Sequence, residues 1–173
     1  MRYRSLLAFL LLAFTANANE GEQSIHVDLD DVIAAGKVES VDGMTSSGQP
    51  DEEALKVFAD SGYTVVIDMR GSDEDRGMDD YDRVVEATGM QYLGFPVVGV
   101  EQISFETAAK LDVVLQGIDG PVLIHCASGN RVGAVLALRQ SLNGAADEES
   151  LEFGRDAGMT RFEPRVREVL ESD

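Results

Sequence analysis

The stretch PVLIHCASGNRVGAVLALRQ, residues 121–140, decides how this chain reads. Val122 to Ile124 are apolar on both faces of any strand they form and the run is too short for a helix, the pattern of a buried parallel strand. VGAVLALRQSL then reads as a helix that ends near Asn143-Gly144. Between them lie Cys126, the only cysteine of the chain, the small residues Ala127, Ser128 and Gly129, then Asn130 and Arg131. A strand that hands over to a helix through such a loop places the thiol at a helix N-terminus.

Working outward, the same strand-and-helix unit recurs. PDEEALKVFADSG has Pro50 and acidic residues in its first turn and Gly62 past its end, so a helix is expected, and YTVVIDMR after it reads as a second buried strand. The polar run GSDEDRGMDD forms a loop, YDRVVEATG a short helix, and MQYLGFPV a strand closed by Pro96. SFETAAKLDVVLQGI is helical with Ser104 as N-cap, and DEESLEFGRDAG and PRVREVLESD add two final helices. VESVDGMTSSGQP reads as a short hairpin around Asp42-Gly43. Residues 19–37 show weak periodicity and are expected to wrap the surface or add a short edge element. The alternation predicts an α/β fold of one domain: a central, mostly parallel sheet flanked by helices, with the Cys loop between strand and helix.

The 173 residues, 44% of them hydrophobic, suffice for one domain with a sizeable core. MRYRSLLAFLLLAFTANANE has a basic start, a short apolar run and the small-residue site Ala16-Asn17-Ala18, the form of a cleaved signal peptide over residues 1–18. The mature chain is then expected to be secreted, or periplasmic in a bacterium, with a lead-in at 19–37 and the α/β domain at 38–173. No membrane span is expected, since the apolar run is too short for one. An unpaired cysteine is unusual in an oxidising compartment, where structural cysteines work in pairs. The formal net charge of −18, from 14 Lys+Arg against 32 Asp+Glu, argues against nucleic acid as a partner. It also means that an anionic ligand must be held by local donors.

In parallel α/β sheets ligands sit beyond the carboxyl ends of the strands. The segments Asp68-Met69-Arg70, Phe95-Pro96-Val97 and His125-Cys126 all end there and are expected to line one crevice. The free N–H groups and dipole of the following helix favour a thiolate at Cys126, and thiolates are nucleophiles. Ala127, Ser128, Gly129 and Asn130 let successive N–H groups converge on an oxyanion, Ser128 has a hydroxyl to offer the sulfur, and Arg131 has a fork of donors for a tetrahedral anion. His125 is expected to brace the loop, Arg70 to help bind substrate, and Gly133 to permit close helix–strand packing. With one cysteine and two histidines, His26 lying far away in the lead-in, no zinc set assembles, so neither metal nor cofactor is expected.

These residues carry a resemblance. IHCASGNRVG resembles the signature of the cysteine-dependent phosphatases. The wider run, from SGQPDEEALKVFADSGYTVVIDMR through YLGFPVVGVEQIS to VLIHCASGNR, is similar to the exported phosphatase-like domain family known as beta-lactamase hydrolase-like, over roughly residues 38–158. The resemblance implies a phosphatase-like hydrolase acting on a phosphorylated or other anionic substrate, with Cys126 as nucleophile, Arg131 as anion clamp and a carboxylate as general acid.

Three departures stand out. Tyrosine and dual-specificity phosphatases have five residues between Cys and Arg; here Ala127 to Asn130 are four, the spacing typical of rhodaneses. Their Arg is usually followed by Ser or Thr, which helps release the bound phosphate; here it is Val132. Their general-acid loop corresponds to PVVGVEQIS, which lacks the aspartate and leaves Glu101 as candidate acid, with Asp73, Glu74 or Asp75 as substitutes. Two alternatives therefore stand beside the hydrolase: a rhodanese-like sulfurtransferase carrying a persulfide on Cys126, and a non-catalytic anion-binding module.

Overall fold

In the computed structural model, which describes residues 23–39 and 43–172, five strands form one sheet. They are β1 (Gln23–Val27), β2 (Gly43–Ser47), β3 (Val65–Asp68), β4 (Gln91–Gly94) and β5 (Val122–His125), in spatial order β1-β2-β5-β3-β4 and parallel at every pairing. The connecting helices are α1 (Leu29–Ala35), α2 (Glu52–Asp60), α3 (Tyr81–Ala87) and α4 (Phe105–Leu115); α5 (Asn130–Leu142), α6 (Asp147–Asp156) and α7 (Glu163–Leu170) follow the last strand. The expected α/β architecture is the one observed. β5 is the central strand, and every residue of β3 and of β5 is buried.

Period-two alternation assigns each strand residue to a layer. Val65, Ile67, Val122 and Ile124 join the cluster that includes Leu111 of α4, Val135 of α5 and Leu151 of α6. Val66 and Leu123 point the other way, onto Leu55 and Phe58 of α2 and Val85 of α3. The same parity, carried past the end of β5, decides the chemistry. Cys126 joins the α4–α5 side, while His125 faces Tyr81 on the α3 side.

Local signals explain the helix starts. Asp51 and Ser104 cap α2 and α4, their side-chain oxygens accepting from Ala54 N at 2.8 Å and Thr107 N at 3.3 Å. In α1, Asp28 caps by accepting from Asp30 N at 2.9 Å, and Gly36 ends the helix in the left-handed conformation.

Three expectations are corrected. The hairpin around Asp42-Gly43 is absent from the described part of that segment: Gly43 opens β2, an internal strand parallel to both neighbours, and Asp42 lies outside the described residues, as does the leader read at 1–18. The lead-in adds the short edge element expected of it, strand β1, followed by a capped helix, α1, that its weak periodicity did not announce. Through β1, His26 comes to the Cys loop instead of lying far from it. Gly133 serves a helix–helix contact, because a Cβ there would come within 2.4 Å of Gly154 O and Met159 N, where α5 meets α6 and the loop after it.

Among the described residues, no helix is long and apolar enough to cross a membrane. Nor does any group of three or more His, Cys, Asp or Glu among them have the arrangement to hold a metal ion.

Candidate active site

The site lies beyond the carboxyl end of β5, where the chain leaves into α5 on one face of the sheet while the neighbouring strands β2 and β3 lead to α2 and α3 on the other. Cys126 sits at the floor of a cavity of about 370 Å³, lined by Glu74, Val98, Ala127, Ser128, Asn130, Arg131, Arg161 and Phe162 as well. The thiol is 1% exposed, while Ala127 and Ser128 open to solvent above it. Gly129 begins α5 at φ +76°, and a Cβ there would stand 2.3 Å from the His26 ring, so glycine is required on two counts. His26 is anchored in turn, its Nδ1 lying 2.9 Å from Ser46 Oγ. Gly48 bridges to Ser128, tying the Ser-Gly-Gln-Pro segment to the Cys loop.

Arg131 reaches inward. Its Nη1 donates to Glu74 Oε1 at 2.6 Å, to Val97 O at 3.0 Å and to Met69 O at 3.3 Å, and Nη2 donates to Glu74 Oε2 at 2.6 Å. Three strand ends thus converge on one guanidinium, whose pKa is raised first by Glu74 and also by the Cys126 sulfur. Glu74 fills one end of the fork. The Nε–H and the second Nη2–H have no oxygen acceptor among the described residues, which leaves donors for an incoming anion. The hydrogen bond from Arg131 holds the pKa of Glu74 down to about 2 against burial, so it is a carboxylate at neutral pH.

Beneath the loop, on the opposite face of the sheet, lies a buried polar network. Asp68, fully buried, accepts from Arg76 Nε at 2.7 Å, Tyr92 Oη at 3.1 Å and Arg70 N at 2.8 Å. His125 Nε2 is 3.0 Å from Tyr81 Oη and 3.7 Å from Asp68, while Nδ1 has no hydrogen-bond partner of good geometry among the described residues. Burial pushes the His125 pKa down to about 4, against the pull of Asp68. A neutral imidazole on the far face braces the strand end that carries Cys126.

The linkage has a definite sign. Between pH 6.5 and about 4 the unfolded chain holds a proton on this histidine that the folded chain does not, so stability falls as pH falls through that window, by about 3 kcal/mol in full. Urea denaturation from pH 6.5 to 4.5 is expected to show this loss, and His125→Gln to flatten the slope. An unchanged slope would assign the loss to other groups.

Several residues read from sequence take other places. Arg70 does not line the cavity: it donates from Nη1 to Gln49 Oε1 at 2.8 Å and from Nε to Glu74 Oε2 at 3.3 Å, bracing the carboxylate that holds Arg131. Glu101 is exposed in a single 3-10 turn, Val100–Gln102, beside Gly99, and is not among the cavity's lining residues. Asp73 and Asp75 are exposed outside it, whereas Glu74 lines it. The Asn130 side chain turns away from the anion cradle, for its Oδ1 accepts from Thr160 N at 2.7 Å and Phe162 N at 3.3 Å. Arg161 and Phe162, on the loop between α6 and α7, escape sequence reading because nothing near them in the chain marks that loop as part of the site.

The wider comparison fits this geometry. Residues 39–143 match the family described as beta-lactamase hydrolase-like protein, phosphatase-like domain. The chain belongs to that family. Beta-lactamase hydrolase-like proteins of Xylella fastidiosa strains Temecula1 and 9a5c are 28% identical to it over 109 residues, 61% of this chain and 25% of each relative. The chain therefore spans about a quarter of the length of these curated relatives. Among solved structures, a candidate phosphatase from Neisseria meningitidis Z2491 superposes with a TM-score of 0.64 at 18% identity, over 79% of this chain and 95% of that one. Another, from Shewanella putrefaciens CN-32, gives 0.58 at 21% identity, over 78% and 86%. At these identities the likeness establishes a shared phosphatase-like fold.

Proposed function

We propose that this phosphatase-like domain hydrolyses phosphate monoesters through a covalent phosphocysteine. The Cys126 thiolate attacks phosphorus, an S–P bond forms and the ester P–O bond breaks with its electron pair leaving on oxygen. Water then cleaves the S–P bond, releasing inorganic phosphate and restoring the thiol. Donors of the Cys loop and the N–H groups of Arg131 that Glu74 does not engage hold the phosphoryl oxygens as charge builds. The observation that carries this reading is the meeting of Cys126 and the Glu74-clamped Arg131 in one cavity at the start of α5. Val98 and Phe162 supply apolar walls for the organic part of the ester. The leader-like residues 1–18 support an exported location, so the substrate would be met outside the cytoplasm.

The only carboxylate lining the cavity among the described residues is Glu74, and at a pKa of about 2 it has no proton to give. The leaving group must therefore depart without a general acid, which makes the rate depend steeply on its own acidity. Across a series of substituted phenyl phosphates, the rate of the first chemical step is expected to fall about tenfold or more when a nitrophenol leaving group is replaced by unsubstituted phenol. A flat series, with chemistry shown to be rate-limiting, would mean that a proton donor such as Glu101 reaches the ester.

Sulfur transfer is a second reading, favoured by the four-residue loop between Cys126 and Arg131 and needing no acid. Incubation with thiosulfate followed by intact mass separates the two, because a stable gain of one sulfur atom belongs to this reading alone.

A further inference from the structure

Among the described residues, every lysine and arginine except Arg161 lies within ion-pair distance of a carboxylate. In a chain with 32 acidic residues and a net charge of −18, a guanidinium without a partner is the exception. This one is exposed and lines the Cys126 cavity.

Its isolation is built. The nearest carboxylate along the chain, Glu163, is already taken: Oε1 accepts from Arg155 Nη2 and Arg167 Nη2, both at 2.8 Å, and Oε2 accepts from Arg155 Nε at 2.9 Å. Nor is the position of Arg161 left to a free loop. Asn130, 3% exposed at the first turn of α5, grips both flanking residues through Oδ1, accepting from Thr160 N at 2.7 Å, Thr160 Oγ1 at 3.2 Å and Phe162 N at 3.3 Å. The last residue of the anion loop therefore fixes the segment that carries the unpaired cation. Arg131, by contrast, has its charge largely offset by Glu74.

We infer that Arg161 is a specificity-determining residue that binds a second anionic group of the substrate, so that the preferred ester carries another negative charge beside its phosphate. The inference rests on the reading of the Cys126 cavity as the reacting site. A second anion gains a charge-assisted pair at Arg161 that a neutral group does not, and the acidic exterior does not favour it anywhere else.

The test uses aryl phosphates bearing a carboxylate on arms of increasing length, each compared with its own amide, which matches it in size. For the arm that reaches Arg161, kcat/KM is expected to favour the acid by about tenfold. In Arg161→Ala the ratio falls to one or below, and in Arg161→Glu it inverts. A wild type that shows no preference at any arm length, or a preference that survives Arg161→Ala, overturns the inference. Replacing the carboxylate with a phosphonate on the same arm shows which anion is favoured. If no ester is hydrolysed, the hydrolase reading fails by itself and the same ratio is read as protection of Cys126 from iodoacetamide by acid over amide. Equal protection then overturns the role of Arg161.

Discussion

Cys126→Ser is expected to lower phosphate release from an activated aryl phosphate by at least about a thousandfold while leaving the fold in place, because removing the nucleophile of a covalent mechanism leaves only the binding and electrostatic contributions. The hydroxyl is smaller than the thiol and sits at the cavity floor beside Arg131, so the loss belongs to the chemistry and not to packing. Phosphate release and a urea denaturation curve measured on the same preparation separate the two. Residual activity near wild type would place the nucleophile elsewhere.

Arg131→Lys should cost about a hundredfold or more in kcat/KM, despite keeping the charge. The guanidinium does two things at once: Nη1 and Nη2 engage both oxygens of Glu74, with Met69 O and Val97 O closing the ring, while its other N–H groups remain for substrate. An ammonium has no planar fork with which to do both. Steady-state kinetics on p-nitrophenyl phosphate checks this, and a loss no larger than a few fold would reduce Arg131 to a structural strap. Glu74→Gln gives a milder form of the same fault, since the amide keeps the shape and only one acceptor oxygen.

Strands β3 and β5 were legible from sequence because Val65 to Ile67 and Val122 to Ile124 are short apolar runs buried on both faces, and capping residues such as Ser104 mark where helices start. The Cys loop was legible for the same local reason: strand, thiol, small residues and arginine follow one another in the chain. What stayed hidden depends on strand order. β1 pairs with β2, and that pairing brings His26 under Gly129; neither residue carries a mark of the other. Glu74 could be proposed only as one of three adjacent carboxylates, since its meeting with Arg131 spans 57 residues of chain. Asn130 looked like a cradle residue because it stands in the loop, yet its side chain serves the segment between α6 and α7. That one contact ties Arg161 to the site, and it joins residues 30 apart through a helix pair.

The absence of a hydroxyl at Val132, which is fully buried behind Arg131, leaves hydrolysis of the S–P bond without the usual help and favours accumulation of the intermediate. The most direct measurement is therefore an acid quench during turnover of an activated aryl phosphate, followed by mass analysis of the peptide that contains Cys126. The mechanism predicts the added mass of one phosphoryl group on that peptide, lost in Cys126→Ser. Release of phosphate with no adduct on Cys126 would contradict it.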